Sequence, residues 1–196
     1  MRPRRLAILL SGRGSNFEAI ADAIDSGDLA NARIVAVVSD VPDAPGLARA
    51  RERGLASHAV DRSSYDSRRA FEGEILRILD DAQPDLVCLA GYMRILSPAF
   101  VERLRGRILN IHPSLLPKYR GLEPQKRALE AGDSESGCTV HFVDEGVDSG
   151  AIVLQSEVPI LPGDTVKSLS GRILEEEHRA YPAAIAQVLE KLVPTV

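Results

Sequence analysis

Four short segments of this chain are apolar at nearly every position, and segments with helical periodicity separate them. The apolar runs lie at 6–10, 34–38, 86–90 and, less strongly, 107–111. Strands that are buried on both faces of a parallel sheet have this composition. The clearest helical segment is 67–83, where apolar residues fall at i, i+4, i+7 and i+8 from Phe71. The alternation predicts an α/β protein with a mostly parallel, doubly wound (Rossmann-like) sheet, whose ligands bind beyond the carboxyl ends of the strands.

Local signals mark several helix ends. Ser97-Pro98 has the form of an N-cap followed by proline at the first helical position, and Gly27, Gly54 and Gly106 stand where C-caps are expected. These signals support the helices placed between the apolar runs.

The pattern changes after residue 111. A proline-rich loop and a short helix at 125–131 precede two β runs at 138–143 and 151–160, which predict antiparallel strands at the edge of the sheet. Asp164-Thr165 is suited to capping a final helix from Val166 toward Leu192, which Pro182 is expected to kink or divide.

No linker, repeat or shift in composition divides the 196 residues, so we expect a single domain at 1–196, with an N-terminal half of about 1–105 and a C-terminal half of about 106–196. The formal net charge of -4 argues against bulk electrostatic binding to nucleic acid or to an anionic membrane. The two cysteines form no C-x-x-C pair, the basic and apolar start is too short for a secretory signal, and no run reaches the length of a membrane span. We therefore expect a cytoplasmic protein.

A glycine-rich stretch, Ser11-Gly-Arg-Gly-Ser-Asn16, directly follows the first apolar run and precedes a helix expected to begin near Phe17. Such a turn exposes helix N–H groups to an anion, most often a phosphate. It is not a dinucleotide fingerprint, because position 17 is Phe, and it is not a P-loop, because no Lys-Ser/Thr follows. Two interpretations stay open: a monophosphate site, which the position favours, and a tight turn capped by Ser15 or Asn16.

Asn110 and His112 end the fourth apolar run. Because they are two residues apart, both side chains lie on one side of the predicted strand. An amide and a protonated imidazole that converge in this way suit an oxyanion developing at a carbonyl carbon, and histidine is also the commonest general acid or base near neutral pH. The spacing alone leaves equally open a core histidine beside a turn-forming asparagine.

The acidic segment 144–150, Asp-Glu-Gly-Val-Asp-Ser-Gly, is the third candidate. Its glycines allow a tight fold that presents Asp148 inward, where a carboxylate beside His112 orients the imidazole and favours its charged form. The alternative is a solvated hairpin loop. His141 could face either the core or a cleft. No two of the histidines at 58, 141 and 178 have ligand spacing on one element, so we expect no metal site.

These motifs, in this order, resemble the family of formyltransferases that use 10-formyltetrahydrofolate, and within it the members that formylate a glycinamide ribonucleotide. The resemblance extends from about residue 6 to residue 182. The stretches that carry it are Gly14-Ser-Asn16, Ala90-Gly-Tyr-Met-Arg-Ile-Leu-Ser-Pro98, Leu109-Asn-Ile-His-Pro-Ser-Leu-Leu-Pro-Lys118, Thr139-Val-His-Phe-Val143 and Val147-Asp-Ser-Gly150. Long motifs at matching separations are far more specific than the glycine-rich loop alone.

The resemblance implies the formyltransferase fold, a role in purine biosynthesis and two small-molecule substrates, 5-phosphoribosylglycinamide and the co-substrate 10-formyltetrahydrofolate. It implies no metal and no nucleic-acid or membrane partner, and the chain is expected to be a monomer or homodimer. The N-terminal half then binds the phosphate and the C-terminal half carries the folate and catalytic groups. The implied catalytic residues are Asn110, His112 and Asp148, and the implied contacts to the ribonucleotide are Gly14, Ser15, Asn16 and Glu177. The implied contacts to the folate are Arg68, Met93, Arg94, Ile95, Leu96, Asn110, Asp144, Glu145, Gly146, Val147 and Asp148.

Three alternatives follow from the same residues. A methionyl-tRNA formyltransferase is expected to add a C-terminal RNA-binding domain and a basic surface, whereas this sequence ends at Val196 and is net acidic. A formyltetrahydrofolate hydrolase is expected to carry an N-terminal regulatory domain, whereas only five residues precede the first apolar run. A non-catalytic nucleotide- or folate-binding module would tolerate loss of the catalytic trio, all of which is present.

One stretch departs from the pattern expected of ribonucleotide formyltransferases. After Lys118-Tyr119 those proteins often carry proline and then Gly-Leu-His, whereas this chain reads Arg120-Gly-Leu-Glu-Pro124, which resembles the methionyl-tRNA formyltransferases. The missing histidine is not one of the trio, so the departure concerns local contacts to ligand or water.

Overall fold

The computed structural model describes residues 2–191, which form six α-helices, seven strands and one 3-10 turn at Arg62–Ser64. The strands are β1 (Arg4–Leu10), β2 (Ala32–Ser39), β3 (Ser57–Ala59), β4 (Leu86–Leu89), β5 (Ile108–His112), β6 (Glu135–Phe142) and β7 (Ile152–Pro159). The helices are α1 (Ser15–Ser26), α2 (Pro45–Glu52), α3 (Arg68–Ala82), α4 (Pro98–Arg103), α5 (Pro124–Ala131) and α6 (Val166–Lys191). The strand order in the sheet is β3-β2-β1-β4-β5-β6-β7.

The predicted fold class is confirmed. The strands β1, β2, β3 and β4 pair in parallel, and β6 and β7 pair antiparallel. The short strand β3 was not predicted, because three residues are too few to show a period. The residues separate into two compact units, one up to Leu109 and one from Asn110. The expectation of a single domain with two halves stays a prediction.

The first unit is built around β1, whose residues 6–10 are fully buried. Strand β1 lies between β2 and β4: the first two crossovers carry the chain outward to β2 and β3 on one side of β1, and the third returns it to β4 on the other side. This is the switch point of a doubly wound sheet, where the carboxyl ends of neighbouring strands open a crevice for a ligand. The residues that follow β1 and β4, beginning at Ser11 and Ala90, are therefore the first unit's best-placed binding elements.

Helix α3 has the boundaries and buried face that the periodicity predicts. Its N-cap is Ser67, whose Oγ accepts a hydrogen bond from the Ala70 N–H at 3.1 Å, and its C-cap is Gln83. Burial of large apolar side chains such as Phe71 and Ile75 contributes about 1.5–3 kcal/mol each. This packing fixes the helix that carries Arg68 at its first position.

The predicted caps of the first unit are partly confirmed. Ser97 caps α4 and Gly27 is the C-cap of α1. Gly54 and Gly106, however, stand beyond the C-caps Arg53 and Leu104. Both glycines are left-handed, with φ of 69° and 70°, so they turn the chain after the helix has already ended.

In the second unit, β6 pairs with β7 from Glu135↔Pro159 to His141↔Ile152, with a register irregularity between Val140 and His141. Helix α6 begins as expected, because Thr165 Oγ1 accepts a hydrogen bond from the Ser168 N–H at 3.2 Å. It continues through Pro182 as one helix to Lys191, so the expectation that Pro182 divides the helix is wrong, while a kink there stays a prediction. Leu192, the expected end of this helix, lies outside the described residues.

Candidate active site

The loop between β1 and α1 carries the predicted phosphate site. Helix α1 begins at Ser15, two residues earlier than expected, because Gly14 takes a left-handed conformation with φ 77° and is itself the N-cap. The alternative in which Ser15 or Asn16 caps the helix is therefore wrong. A Cβ at Gly14 would come within 2.8 Å of the Gly46 Cα, so the close approach of α2 also requires glycine here. A helix N-terminus behind a cap without a side chain suits an anion, and phosphate binding at Gly14, Ser15 and Asn16 stays a prediction.

The first unit also contains a cavity of about 430 Å³ beside the segment that follows β4. Arg68 donates to Glu72 Oε1 at 2.9 Å and also to the Ile95 carbonyl, so it fixes the segment against α3. Met93 and Ile95 are 76% and 69% exposed, which leaves two apolar side chains available to a flat, apolar ligand. The residues that line the cavity are Arg62, Arg68, Phe71, Glu72, Tyr92, Met93, Arg94 and Ile95.

Four of the five folate contacts predicted in the first unit line this cavity. Leu96 does not, because its side chain is buried. The structure adds four residues to the wall, Arg62, Phe71, Glu72 and Tyr92. Burial raises the pKa of the Tyr92 phenol above its ordinary value, so this group is a neutral hydroxyl at physiological pH.

In the second unit the structure brings together Asn110, His112 and Asp148. His112 Nδ1 lies 3.3 Å from Asp148 Oδ2, and Asn110 Nδ2 donates to Asp148 Oδ1 at 3.4 Å. Both β5 side chains therefore face the same carboxylate, as their two-residue spacing predicts. His112 is 6% exposed, so its interactions take place in a largely water-excluded environment.

Asp148 receives hydrogen bonds on both oxygens. Its Oδ2 also accepts from the Gly121 N–H at 2.9 Å, and His141 Nε2 lies 3.5 Å from its Oδ1. Burial acts to raise the pKa of Asp148, but the hydrogen bonds from His141 and Gly121 and the nearby histidine charges hold the pKa below its usual value. The carboxylate is thus ionised at neutral pH. Its backbone is left-handed at φ 47°, which aspartate tolerates better than most residues.

The imidazole of His112 meets an oxygen acceptor at each ring nitrogen. Nδ1 faces Asp148, and Nε2 lies 3.0 Å from the Tyr119 carbonyl oxygen. A neutral imidazole has only one N–H, whereas the imidazolium has two and satisfies both acceptors. The two acceptors therefore hold the His112 ring in one orientation.

The departure at 120–124 reaches this cluster only through its backbone. The Tyr119 carbonyl and the Gly121 N–H make the contacts to His112 and Asp148. Arg120 is exposed, Leu122 is 86% exposed, and the Arg120 carbonyl accepts from Arg127 at 2.7 Å. The contacts described between this region and the trio are therefore made by main-chain atoms.

His141 is the residue that sequence reasoning did not assign. It lies on β6, is 2% exposed, and its Nδ1 donates to the Phe142 carbonyl at 2.8 Å. That bond leaves Nε2 to interact with Asn110 Nδ2 at 3.2 Å and with Asp148. His141 therefore packs against both Asn110 and Asp148. A histidine near the end of a β run was the signal, but the register irregularity between Val140 and His141 prevents a period of two from assigning its face.

The other predicted positions have simple environments. Asp144 Oδ1 accepts from the Gly146 N–H at 3.1 Å and from Ser149 Oγ at 2.7 Å, which closes the 144–150 loop into a compact turn. Glu145, Gly146 and Val147 are exposed on that turn. Glu177 is 7% exposed on α6. Their contacts to folate and ribonucleotide stay predictions.

Within residues 2–191, no cluster of three or more histidine, cysteine, aspartate or glutamate residues is arranged to hold a metal ion. Over the same range, none of the helices combines the length and the apolar character that crossing a membrane requires.

Comparison with known proteins identifies the family. A family model described as formyl transferase matches residues 4–185 of this chain. The chain belongs to the formyl transferase family. Among relatives of this family, phosphoribosylglycinamide formyltransferase of Escherichia coli is 47% identical over 181 residues, which cover 92% of this chain and 85% of that protein.

Other formyl transferase relatives differ in length. The trifunctional purine biosynthetic protein adenosine-3 of Drosophila melanogaster is 52% identical over 189 residues, which is 96% of this chain but only 14% of that protein. A crystal structure of phosphoribosylglycinamide formyltransferase from Brucella melitensis is 46% identical, has a TM-score of 0.92, and each chain covers 100% of the other. The similarity therefore extends over the fold as well as the sequence.

Proposed function

We propose that this formyl transferase moves the formyl group of 10-formyltetrahydrofolate to the amine of 5-phosphoribosylglycinamide, giving formylglycinamide ribonucleotide and tetrahydrofolate in de novo purine biosynthesis. The observation that carries the proposal is the convergence of Asn110 and His112 on the ionised Asp148. The names of the Escherichia coli and Brucella melitensis relatives support the choice of substrate.

The reaction begins when the ribonucleotide amine attacks the formyl carbon. A C–N bond forms, the carbonyl electron pair moves to oxygen, and a tetrahedral oxyanion results. The amide N–H of Asn110 and the imidazolium of His112 stabilise that oxyanion, because two donors in a water-excluded site interact strongly with developing negative charge. A free primary amine is itself the nucleophile, so no serine or cysteine needs activation.

The intermediate collapses with cleavage of the bond between the formyl carbon and folate N10. The amine loses one proton and N10 gains one, so the overall transfer is neutral. Asp148 keeps His112 charged and oriented through Nδ1. The opposite nitrogen, Nε2, is then the donor that interacts with the oxyanion, in place of the Tyr119 carbonyl, when substrates bind.

The ligand contacts follow the same assignment. The ribonucleotide phosphate is bound by Gly14, Ser15 and Asn16, with Glu177 as a further contact. The folate contacts Arg68 and the segment Met93–Leu96, and also Asn110 and the loop 144–148. We further propose that the protein acts in the cytoplasm as a monomer or homodimer, needs no metal and binds no nucleic acid. Gel filtration with light scattering measures the oligomeric state directly.

The test of this function is an acceptor comparison. Purified protein is mixed with 10-formyltetrahydrofolate and, in separate reactions, with 5-phosphoribosylglycinamide, with charged initiator tRNA, or with water alone. Tetrahydrofolate is expected to form only with the ribonucleotide. Formation in water alone identifies a hydrolase, and formation with the tRNA but not the ribonucleotide identifies a methionyl-tRNA formyltransferase, so either result overturns the proposal.

A further inference from the structure

A buried aspartate in the first unit contacts two elements of the proposed binding apparatus. Asp40 directly follows β2 and its side chain is 4% exposed. Oδ1 accepts a hydrogen bond from Ser11 Oγ at 2.5 Å, and Oδ2 accepts from Arg94 Nε at 2.5 Å. One carboxylate thus joins the loop after β1 to the segment after β4.

Ser11 links Asp40 to the backbone N–H of Met93. Its hydroxyl donates to Asp40 and accepts from the Met93 N–H at 2.8 Å, while the Ser11 N–H donates to the Gly91 carbonyl at 3.0 Å. The backbone of Met93 is therefore fixed by a hydroxyl whose own orientation Asp40 sets.

Arg94 is held from two directions. Its Nε is paired with Asp40, and its guanidinium carbon lies 5.7 Å from the centre of the Phe71 ring. The side chain is 43% exposed, so without the carboxylate the long arginine would have many solvent-accessible conformations. Ordering such a side chain costs conformational entropy, and Asp40 removes that cost from the binding of a ligand that contacts Arg94.

The segment that follows β4 is held by different contacts at its two ends. Residues 92–96 form neither helix nor strand. Arg68 fixes the Ile95 carbonyl, and Glu72 Oε1 accepts from the Ser97 N–H at 2.9 Å. Those bonds hold the segment at 95–97, whereas Asp40 and Ser11 hold it at 93–94.

We propose that Asp40 is a positioning residue for folate binding: through Ser11 and Arg94 it holds the segment Met93–Ile95 in the conformation that receives 10-formyltetrahydrofolate. This inference rests on the proposed function, because it takes that segment as the folate contact. Asp40 acts only through its two partners, so its loss affects folate affinity and leaves the chemical step unchanged.

The test is Asp40→Asn, which preserves the size of the side chain and removes its charge. The amide can still accept from Ser11, but its N–H₂ group then faces the Arg94 N–H and the ion pair is lost. We expect the KM for 10-formyltetrahydrofolate to rise about tenfold, which corresponds to about 1.4 kcal/mol, the scale of one charged hydrogen bond. The kcat and the KM for the ribonucleotide are expected to stay within about threefold of wild type.

A matched control is Asp164→Asn. Asp164 is also a buried aspartate paired with an arginine, at 2.8 Å from Arg172, and its other partners Ser168 and Leu161 belong to no proposed binding set. It is expected to lower the thermal midpoint without a selective change in any KM. If Asp40→Asn and Asp164→Asn alter the kinetics alike, or if Asp40→Asn leaves the folate KM unchanged, the positioning role is wrong.

Ser11→Ala covers the case in which Asp40→Asn does not fold. It keeps the Asp40–Arg94 pair and removes both bonds of the Ser11 hydroxyl, the one to Asp40 and the one from the Met93 N–H, so the folate KM is expected to rise about threefold. An unchanged folate KM in this variant overturns the role.

Calorimetric binding of tetrahydrofolate, which needs no ribonucleotide, separates this inference from the proposed function. Weaker binding by Asp40→Asn supports the role even if wild type does not formylate the ribonucleotide. Equal binding by both proteins refutes the role while the function stands.

Discussion

Replacing Asp148 with asparagine tests the central contact of the site with little change in shape. Asparagine tolerates the left-handed backbone at φ 47° as well as aspartate does, so the loop is expected to keep its conformation. The change removes the negative charge 3.3 Å from His112 Nδ1. At an effective dielectric constant of about 20, a charge pair at this distance interacts by about 5 kcal/mol, and desolvation offsets part of that.

About half of this interaction, roughly 2.7 kcal/mol, is expected to disappear from the transition state, in which His112 must be charged. We therefore expect kcat to fall at least about 100-fold, while the Kd for the ribonucleotide changes less than about threefold. Steady-state kinetics give kcat, and calorimetry gives the Kd.

A double variant decides whether Asp148 acts through His112. If it does, adding Asp148→Asn to His112→Ala costs much less than the approximately 100-fold that it costs alone. A kcat near that of wild type in Asp148→Asn, or a full multiplicative loss in the double variant, refutes the reasoning. Asp164→Asn serves again as the control for general destabilisation.

Three further outcomes are expected. His112→Ala lowers kcat at least about 100-fold with ribonucleotide binding largely retained, and single-turnover kinetics with separate binding measurements test both parts. Because the folded-state pKa of Asp148 is lowered from 3.8, its stabilisation is present above that pH and is lost as the pH falls through the folded pKa. Urea unfolding between about pH 5 and pH 3 should therefore show a steeper loss of unfolding free energy for wild type than for Asp148→Asn. Gly14→Ala places a Cβ 2.8 Å from the Gly46 Cα at φ 77°, so the unfolding free energy falls by about 1–3 kcal/mol and the KM for the ribonucleotide rises, whereas Gly54→Ala has no such neighbour and loses only the backbone contribution.

The sequence predicted the strands best where burial on both faces leaves a continuous apolar run. For this reason the run at 6–10 lies within β1, and the run at 86–90 contains the whole of β4. The antiparallel edge was also predicted, since two β runs are joined by a short segment, 144–150, that contains two glycines. Helix α6 was harder, because Pro182 forbids only one backbone bond and packing of a long buried face keeps the helix continuous.

The candidate site was predicted in its parts but not in its connections. The two-residue spacing of Asn110 and His112 predicted that their side chains share one face of the strand, because side chains along a strand alternate between two faces. The roles of Asp40 and His141 depend on side chains from separate elements that meet in space, and no local period encodes such a meeting. The backbone contacts of Tyr119 and Gly121 are equally invisible in sequence, because any residue supplies a carbonyl and an N–H.

The main-chain contacts of Tyr119 and Gly121 leave the side chains beside them free to vary. The loop beside His112 and Asp148 contacts these two residues through main-chain atoms. Positions 120 and 122 face solvent, so the reaction does not require a particular side chain at either position. Gly121 is different, because its φ of 78° excludes most side chains. Drift in sequence can therefore accumulate on either side of that glycine, and the surface there can acquire new contacts without altering the reaction beneath it.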